Sequence, residues 1–275
     1  MKDITLIIMA AGDSVRFCSS RAKGTLHANT HFNHTFHNEN IESSNKPSTK
    51  KQWLRLGTMP LWYFVTHNLA SQILDILNTL QQAENATHTN THQGKNDTKC
   101  NNKNSESIPS KSIDTQNLIQ DSQTHYATTP LQKIIITASK KDIFYMKKLI
   151  SNTLYFHIND KEYKIPLEIV CGGDTRFQSL KNALQHVEST HIIVNDCARF
   201  DTKRHVLHDM LSLFVNEDFD CIVPYLQVSD TTLMYDSTNN THKAIEREKL
   251  KLIQTPQITK TQKILESFAK EIDFS

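Results

Sequence analysis

Three runs of the chain, Ile4–Met9, Lys133–Ala138 and His191–Asn195, are apolar at nearly consecutive positions rather than at alternate ones. A strand with one wet face alternates, so unbroken apolar runs of this length belong to strands covered on both faces. Pro166–Val170 and Asp220–Pro224 read as further strands. Between them lie segments with helical spacing. Leu61, Phe64, Val65 and Leu69 mark a helix over Leu61 to Ile73, and Leu180, Ala183, Leu184 and Val187 share one face of Phe177 to Val187. Other helices are expected around Lys140–Ile150, near Lys203–Val215 and from about Thr259 to Lys270, after the Thr255-Pro256 break. Strands alternating with amphipathic helices predict an α/β fold with a mostly parallel sheet sandwiched by helices. In such sheets a ligand sits where loops leave the carboxyl ends of the strands.

Only 37% of the 275 residues are hydrophobic, low for a chain long enough to bury a substantial core. The deficit is local. From about Cys18 to Thr49 the chain is rich in His, Asn, Ser and Thr, and from about Ala83 to Thr129 in Asn, Thr, Gln, Ser and Lys. Neither stretch holds a helical or strand period, and neither has the apolar surface to offset its ordering entropy. Both are therefore expected as mobile low-complexity insertions, at about 18–49 and 83–129, in one domain spanning residues 1–275. His27, His31, His34 and His37 have ligand-like spacing, but they sit among Asn and Thr without an acidic or thiol partner, so they read as part of a solvated insertion.

Charge and cysteine usage exclude several classes. Lys and Arg number 31 against 29 Asp and Glu, a net charge of +2, with no basic stripe of the kind that binds nucleic acid. Cys18, Cys100, Cys171, Cys197 and Cys221 form no C-x-x-C pair and are odd in number, which fits reduced thiols in a cytoplasmic protein. The apolar run at the start is too short for a secretory signal and carries Asp3 beside Lys2, so it reads as a strand, and no membrane partner is expected.

The chemistry concentrates at strand ends. The chain has only six glycines: Gly12 ends the first strand, and Gly172-Gly173 end another. Glycine lets backbone approach a ligand closely, although a single one is more often an ordinary turn. Ala10-Ala11-Gly12-Asp13-Ser14-Val15-Arg16 places small residues and then a guanidinium, suited to bidentate phosphate contacts, at the mouth of the first strand. Lys51-Gln52 leads back from the first insertion into apolar structure. Gly172-Gly173-Asp174-Thr175-Arg176 opens a helix containing Ser179, and Val194-Asn195-Asp196-Cys197-Ala198-Arg199 ends an interior strand with a carboxylate and an arginine. Alone, Arg16, Lys51, Arg199 and Arg247 are each compatible with solvated surface charge, Asp196 with a helix cap, and Ser179 with a first-turn residue. Together, four polar loops on one rim suggest a triphosphate site with a metal.

With Val228-Ser229-Asp230-Thr231 and Gln254-Thr255-Pro256-Gln257, these loops resemble the 2-C-methyl-D-erythritol 4-phosphate cytidylyltransferase family. The likeness spans the chain apart from the two insertions. It is nearest to the cytidylyltransferase half of the bifunctional cytidylyltransferase/cyclodiphosphate synthase enzymes. The resemblance implies a Rossmann-like sheet of the nucleotide-diphospho-sugar transferase type with a protruding dimerisation arm. It implies that CMP passes from CTP to 2-C-methyl-D-erythritol 4-phosphate, giving 4-diphosphocytidyl-2-C-methyl-D-erythritol and pyrophosphate in non-mevalonate isoprenoid synthesis. Mg²⁺ is the implied cofactor, with its protein ligands undefined, and a homodimer through an arm over 227–248 the implied assembly.

Carried over residue by residue, Ala10, Ala11 and Gly12 would line the nucleotide loop, and Gly173, Asp174 and Ser179 would hold cytosine and ribose. Arg16 and Lys51 would neutralise phosphate charge. Asp196 would position substrate or metal, Arg199 and Thr231 would lie towards the acceptor, and Arg247 would come from a neighbouring subunit. The pattern departs at Ser14, where glycine is usual, at Lys50, where proline is usual, and at Asn195 and Phe200. The resemblance also implies an acidic segment and a last strand, bearing an aspartate and a second lysine, beyond Ser275. Two other readings stay open: a transferase for another sugar- or alditol-phosphate, and a truncated chain that binds CTP without turning it over.

Overall fold

The computed structural model describes residues 2–12, 50–90 and 126–270, with backbone only over 85–90. Arg16, Ser14, the four insertion histidines and most of both polar insertions lie outside the described residues. The strands are β1 (Ile4–Met9), β2 (Arg55–Leu56), β3 (Met59–Pro60), β4 (Leu131–Ala138), β5 (Thr153–Ile158), β6 (Lys161–Cys171), β7 (His191–Asp196), β8 (Cys221–Ile222), β9 (Tyr225–Gln227), β10 (Thr232–Asp236), β11 (Thr241–Ile245), β12 (Lys251–Ile253) and β13 (Gln257–Lys260). The helices are α1 (Leu61–Asn90), α2 (Ile143–Leu149), α3 (Arg176–Leu184), α4 (Arg204–Asn216) and α5 (Thr261–Ala269).

Among the described residues, seven strands form one sheet in the order β5-β6-β4-β1-β7-β13-β8. The central strands β6, β4, β1 and β7 run parallel. The flanking strands β5, β13 and β8 pair antiparallel, so the expected mostly parallel sheet has antiparallel margins. The apolar runs are buried on both faces. Leu6, Ile8, Ile134, Ile136 and Ile193 pack under α1 and α4 through Val65, Leu69, Ile73, Leu207 and Phe214. Ile7, Ile135, Val170, Ile192 and Val194 pack under α3 and α5 through Leu180, Leu184, Ile264 and Phe268. Because consecutive residues serve opposite layers, a run such as Ile134-Ile135-Ile136 has no polar position to give. Ile135 is fully buried in the second layer, so Ile135→Val should cost about 1 kcal/mol. Urea unfolding should show it as a lower midpoint at unchanged slope; a midpoint equal to that of the wild type would contradict the packing.

Three boundaries and one whole strand depart from the expectation. The helix expected to end near Ile73 continues to Asn90, which takes residues 83–90 out of the second insertion. Leu74, Ile76 and Leu77 extend its buried face, and the helix runs on into polar sequence. Strand β5 was not anticipated: only Leu154 and Phe156 point inward from it, and the turn into β6 is made by Asn159 and Asp160 at positive φ instead of by glycine. Strand β6 starts at Lys161 rather than Pro166, its first half alternating like any strand with one wet face. Residues 257–260, partly assigned to the last helix, form β13 against β7, and the helix begins at Thr261. No helix among the described residues is long and apolar enough to cross a membrane.

From the edge carrying β8 the chain makes two antiparallel ribbons, β9 with β12 and β10 with β11. Their apolar side chains are exposed, including Leu226, Leu233, Met234, Leu252 and Ile253.

Candidate functional site

The parallel strands deliver four loops to one rim, and specific contacts draw those loops together. Met9 is in register with Asp196, and the Cys197 N–H donates to the Met9 carbonyl at 3.1 Å, so the loops after β1 and β7 leave side by side. Ala10 is buried, and its N–H donates to the Thr137 carbonyl at 3.1 Å, which anchors the first loop to β4. Ala11 is half-buried and Gly12 exposed. The loop after β6 comes against this one. The Gly172 N–H donates to the Ala138 carbonyl at 2.8 Å, and a Cβ on Gly172 would lie 2.3 Å from the Ala11 Cβ and 2.9 Å from the Ser179 hydroxyl. Only glycine allows two loops to approach this closely.

Ser179 is buried, and its hydroxyl accepts from the Gly173 N–H at 3.0 Å and lies 2.9 Å from the Thr175 carbonyl. Thr175 caps α3 by accepting from the Gln178 N–H at 3.0 Å. Thus Ser179 shapes the Gly172-Gly173 loop from behind, while Asp174 is exposed at its front.

Lys51 begins a single 3-10 turn, Lys51–Trp53. The turn is tied down on all sides. Gln52, 4% exposed, donates to the Gly12 carbonyl at 3.0 Å. The Lys50 ammonium donates to the Ser139 hydroxyl at 3.0 Å and to the Asp142 carboxylate at 2.9 Å, and the Trp53 indole donates to the same carboxylate at 3.1 Å. Burial alone would raise the Asp142 pKa. The hydrogen bonds from Lys50, Ser139 and Trp53, with the Lys50 charge, outweigh it and hold the carboxyl below its ordinary value.

Asp196 is gripped from two loops: the Arg176 Nε lies 3.1 Å away and the Arg199 Nε 3.9 Å away. Its own N–H donates to the Thr255 hydroxyl at 3.3 Å, and Arg199 also donates to the Gln254 side chain. Beyond Arg199 an open groove of about 410 Å³ is lined by Phe200, Lys203, Tyr225 and Gln254. Beside it Cys197 is buried, and burial, then the Asp196 charge, push its thiol up to about 12, which favours the protonated form.

The structure thus brings Ala11, Gly12, Lys51, Gly173, Asp174, Asp196 and Arg199 to one rim, with Ala10 and Ser179 supporting from below. Thr231 and Arg247 lie apart on the ribbon segment, both exposed, where Arg247 donates to the Ser229 carbonyl at 3.0 Å and meets Glu248 at 3.3 Å. Residues that the sequence reading gave no role are Arg176, Gln52, Ser139 and Asp142. Arg176 and Gln52 stood inside the quoted motifs, but their partners lie 20 and 40 positions away, and Asp142 answers Lys50 across 92. No local pattern carries such pairings.

Comparison with known proteins agrees with this architecture. The chain is 29% identical over 275 residues to the bifunctional enzyme IspD/IspF of Campylobacter jejuni and 30% identical over 272 residues to that of Campylobacter hominis. These alignments cover 100% and 97% of the chain but 45% and 44% of the relatives, so the chain spans about half the length of the curated relatives it matches. The solved structure of the bifunctional IspDF from Campylobacter jejuni superposes with a TM-score of 0.56 at 27% identity, covering 99% of this chain and 45% of that one. The 4-diphosphocytidyl-2C-methyl-D-erythritol synthase structure from Anaerococcus prevotii shares the fold, with a TM-score of 0.54 at 13% identity over 100% of this chain and 78% of that one. The family described as "IspD: 2-C-methyl-D-erythritol 4-phosphate cytidylyltransferase" matches residues 102–274, well over half of the sequence, and the chain belongs to that family.

Proposed function

We propose that this chain transfers CMP from CTP to 2-C-methyl-D-erythritol 4-phosphate and releases pyrophosphate. The observation that carries the reading is the closure of the rim: Gly172 seated on Ala11, Gln52 on Gly12, and Met9 in register with Asp196. Small, backbone-exposing residues meet cationic side chains there, as recognition of a nucleoside triphosphate requires.

In this reading the acceptor's phosphate oxygen, ionised at neutral pH, attacks the α-phosphorus of CTP in line, and the bond to the β-phosphate oxygen breaks. No general base is needed, so positioning and charge stabilisation do the catalysis. Ala11, Gly12, Gly173 and Asp174 take the nucleoside, while Lys51 and Arg16 take phosphate charge. Asp196, Arg199 and Thr231 orient the acceptor in the adjoining groove, with Arg247 supplied by a partner subunit. Among the described residues no three His, Cys, Asp or Glu side chains converge. The rim does carry the carboxylates of Asp174 and Asp196, and Mg²⁺ keeps its waters and takes one or two carboxylates with the substrate's phosphates. Asp196 would be its carboxylate, and the ion would neutralise charge on the transferring phosphoryl group.

A homodimer through residues 227–248 fits the exposed Leu233, Met234 and Tyr235 of that segment, and a cytoplasmic location fits the free thiols of Cys171, Cys197 and Cys221 among the described residues. We further propose that residues 1–275 belong to one nucleotidyltransferase domain.

The test is pyrophosphate release with CTP, UTP and GTP against methylerythritol phosphate and other alditol and sugar phosphates. CTP with methylerythritol phosphate should exceed every other pair by at least about tenfold, since recognition of base and acceptor polar groups discriminates strongly. Preference for another acceptor would reassign the substrate, and CTP binding without release would reduce the chain to a nucleotide-binding module.

A further inference from the structure

We propose that Asp142 is a positioning residue for this transfer, holding the Lys51–Trp53 turn so that the Lys51 ammonium stays aimed at the triphosphate; the proposal rests on the cytidylyl-transfer reading. Asp142 lies outside every loop that the motifs marked. Its side chain is 14% exposed, and it receives the Lys50 ammonium at 2.9 Å, the Ser139 hydroxyl at 2.6 Å and the Trp53 indole at 3.1 Å. Lys50 and Trp53 bracket Lys51, so one carboxylate grips the turn at both ends, and Ser139 fixes that carboxylate to the loop after β4. The Gln52 bond to the Gly12 carbonyl adds a tether on the β1 side, at 3.0 Å.

Such bracing is needed because the turn is only three residues long. Its own hydrogen bonds are Trp53 N–H to the Lys50 carbonyl at 3.0 Å and Leu54 N–H to the Lys51 carbonyl at 3.1 Å. Isolated 3-10 turns have poor hydrogen-bond geometry and little stability of their own. Tyr145 on α2 also meets the Trp53 ring edge-on, with ring centres 6.2 Å apart, so the clamp is backed by packing as well as charge. Without Asp142 the turn keeps its sequence but loses its fixed attitude, and a catalytic group displaced by about 1 Å can lose up to about 100-fold in rate.

The experiment is a double-mutant cycle on the full chain, measuring kcat for pyrophosphate release and, separately, CTP affinity by calorimetry with Mg²⁺. Asp142→Ala should lower kcat about tenfold when Lys51 is present and less than about twofold in a Lys51→Ala background, because residues acting through one another are not additive. Equal fold losses in the two backgrounds would mean that Asp142 acts only on the fold, and the proposal falls. If Asp142→Ala is too unstable to assay, Lys50→Met removes one tether with the carboxylate in place. It should lose about threefold, again only when Lys51 is present. The affinity arm separates this idea from the reaction it rests on. If the wild-type chain binds CTP but releases no pyrophosphate, the transfer reading fails. The clamp then stands only if Asp142→Ala weakens CTP binding in a Lys51-dependent way, and it falls if the cycle is additive.

Discussion

Lys51→Ala is expected to lower turnover about 100- to 1,000-fold, the range seen when one preorganised electrostatic donor is removed. The size of the effect follows from where the ammonium stands. Lys51 is half-buried in a turn whose neighbours are held by Asp142 and by the Gly12 carbonyl. A charge presented this way needs no reorganisation when negative charge builds on the leaving phosphate, whereas water filling the truncated site would have to reorient. The loss should fall mainly on kcat, because the charge it meets grows during the reaction, with a smaller change in KM for CTP. The variant leaves the tethers of Lys50, Gln52 and Trp53 in place, so thermal unfolding should change far less than the rate. Pyrophosphate release measured at saturating CTP reads the effect, and a near-normal rate would remove Lys51 from the chemistry.

Gly172→Ala is the second large effect, and it tests the nucleotide side of the rim. The added Cβ would sit 2.3 Å from the Ala11 Cβ, an atom that cannot move without its backbone, and 2.9 Å from the Ser179 hydroxyl that shapes the loop. Relieving the overlap separates the loops after β1 and β6, the two that would grip cytosine and ribose. Overpacking of this kind costs about 1–3 kcal/mol of stability, and displacing the binding loops by about 1 Å should weaken CTP binding by about 10- to 100-fold. Calorimetric titration with CTP and Mg²⁺ reads the affinity directly. Wild-type affinity in this variant would show that the junction of Gly172 and Ala11 does not form the nucleotide site. For the stability cost alone Gly12→Ala is the comparison: a Cβ there meets nothing within 4 Å among the described residues, so its unfolding midpoint should fall less than that of Gly172→Ala.

The core strands and the loops of the site were legible in the sequence; the joints between loops were not. Ile4–Met9, Lys133–Ala138 and His191–Asn195 announced themselves because a strand buried on both faces must be apolar throughout, a requirement written into consecutive residues. Strands with one wet face, such as β5, left a weaker trace: Leu154 and Phe156 alternate with Tyr155 and His157, which short-range reading does not separate from loop. Thr259 and Lys260 resembled the start of a helix and became the end of β13, because pairing with β7 outweighed local preference.

For the site, the sequence by itself determined the cast: glycines and small residues at strand ends, with cations and a carboxylate beyond them. It could do so because backbone approach and charge are properties of single residues. Only the tertiary structure decided that Gly172 must be glycine because Ala11 faces it, that Ser179 supports the loop from behind, and that Asp142 answers Lys50. Those are relations between segments, set by the order in which the sheet stacks its strands, and a linear pattern holds no record of which loops that order will make neighbours.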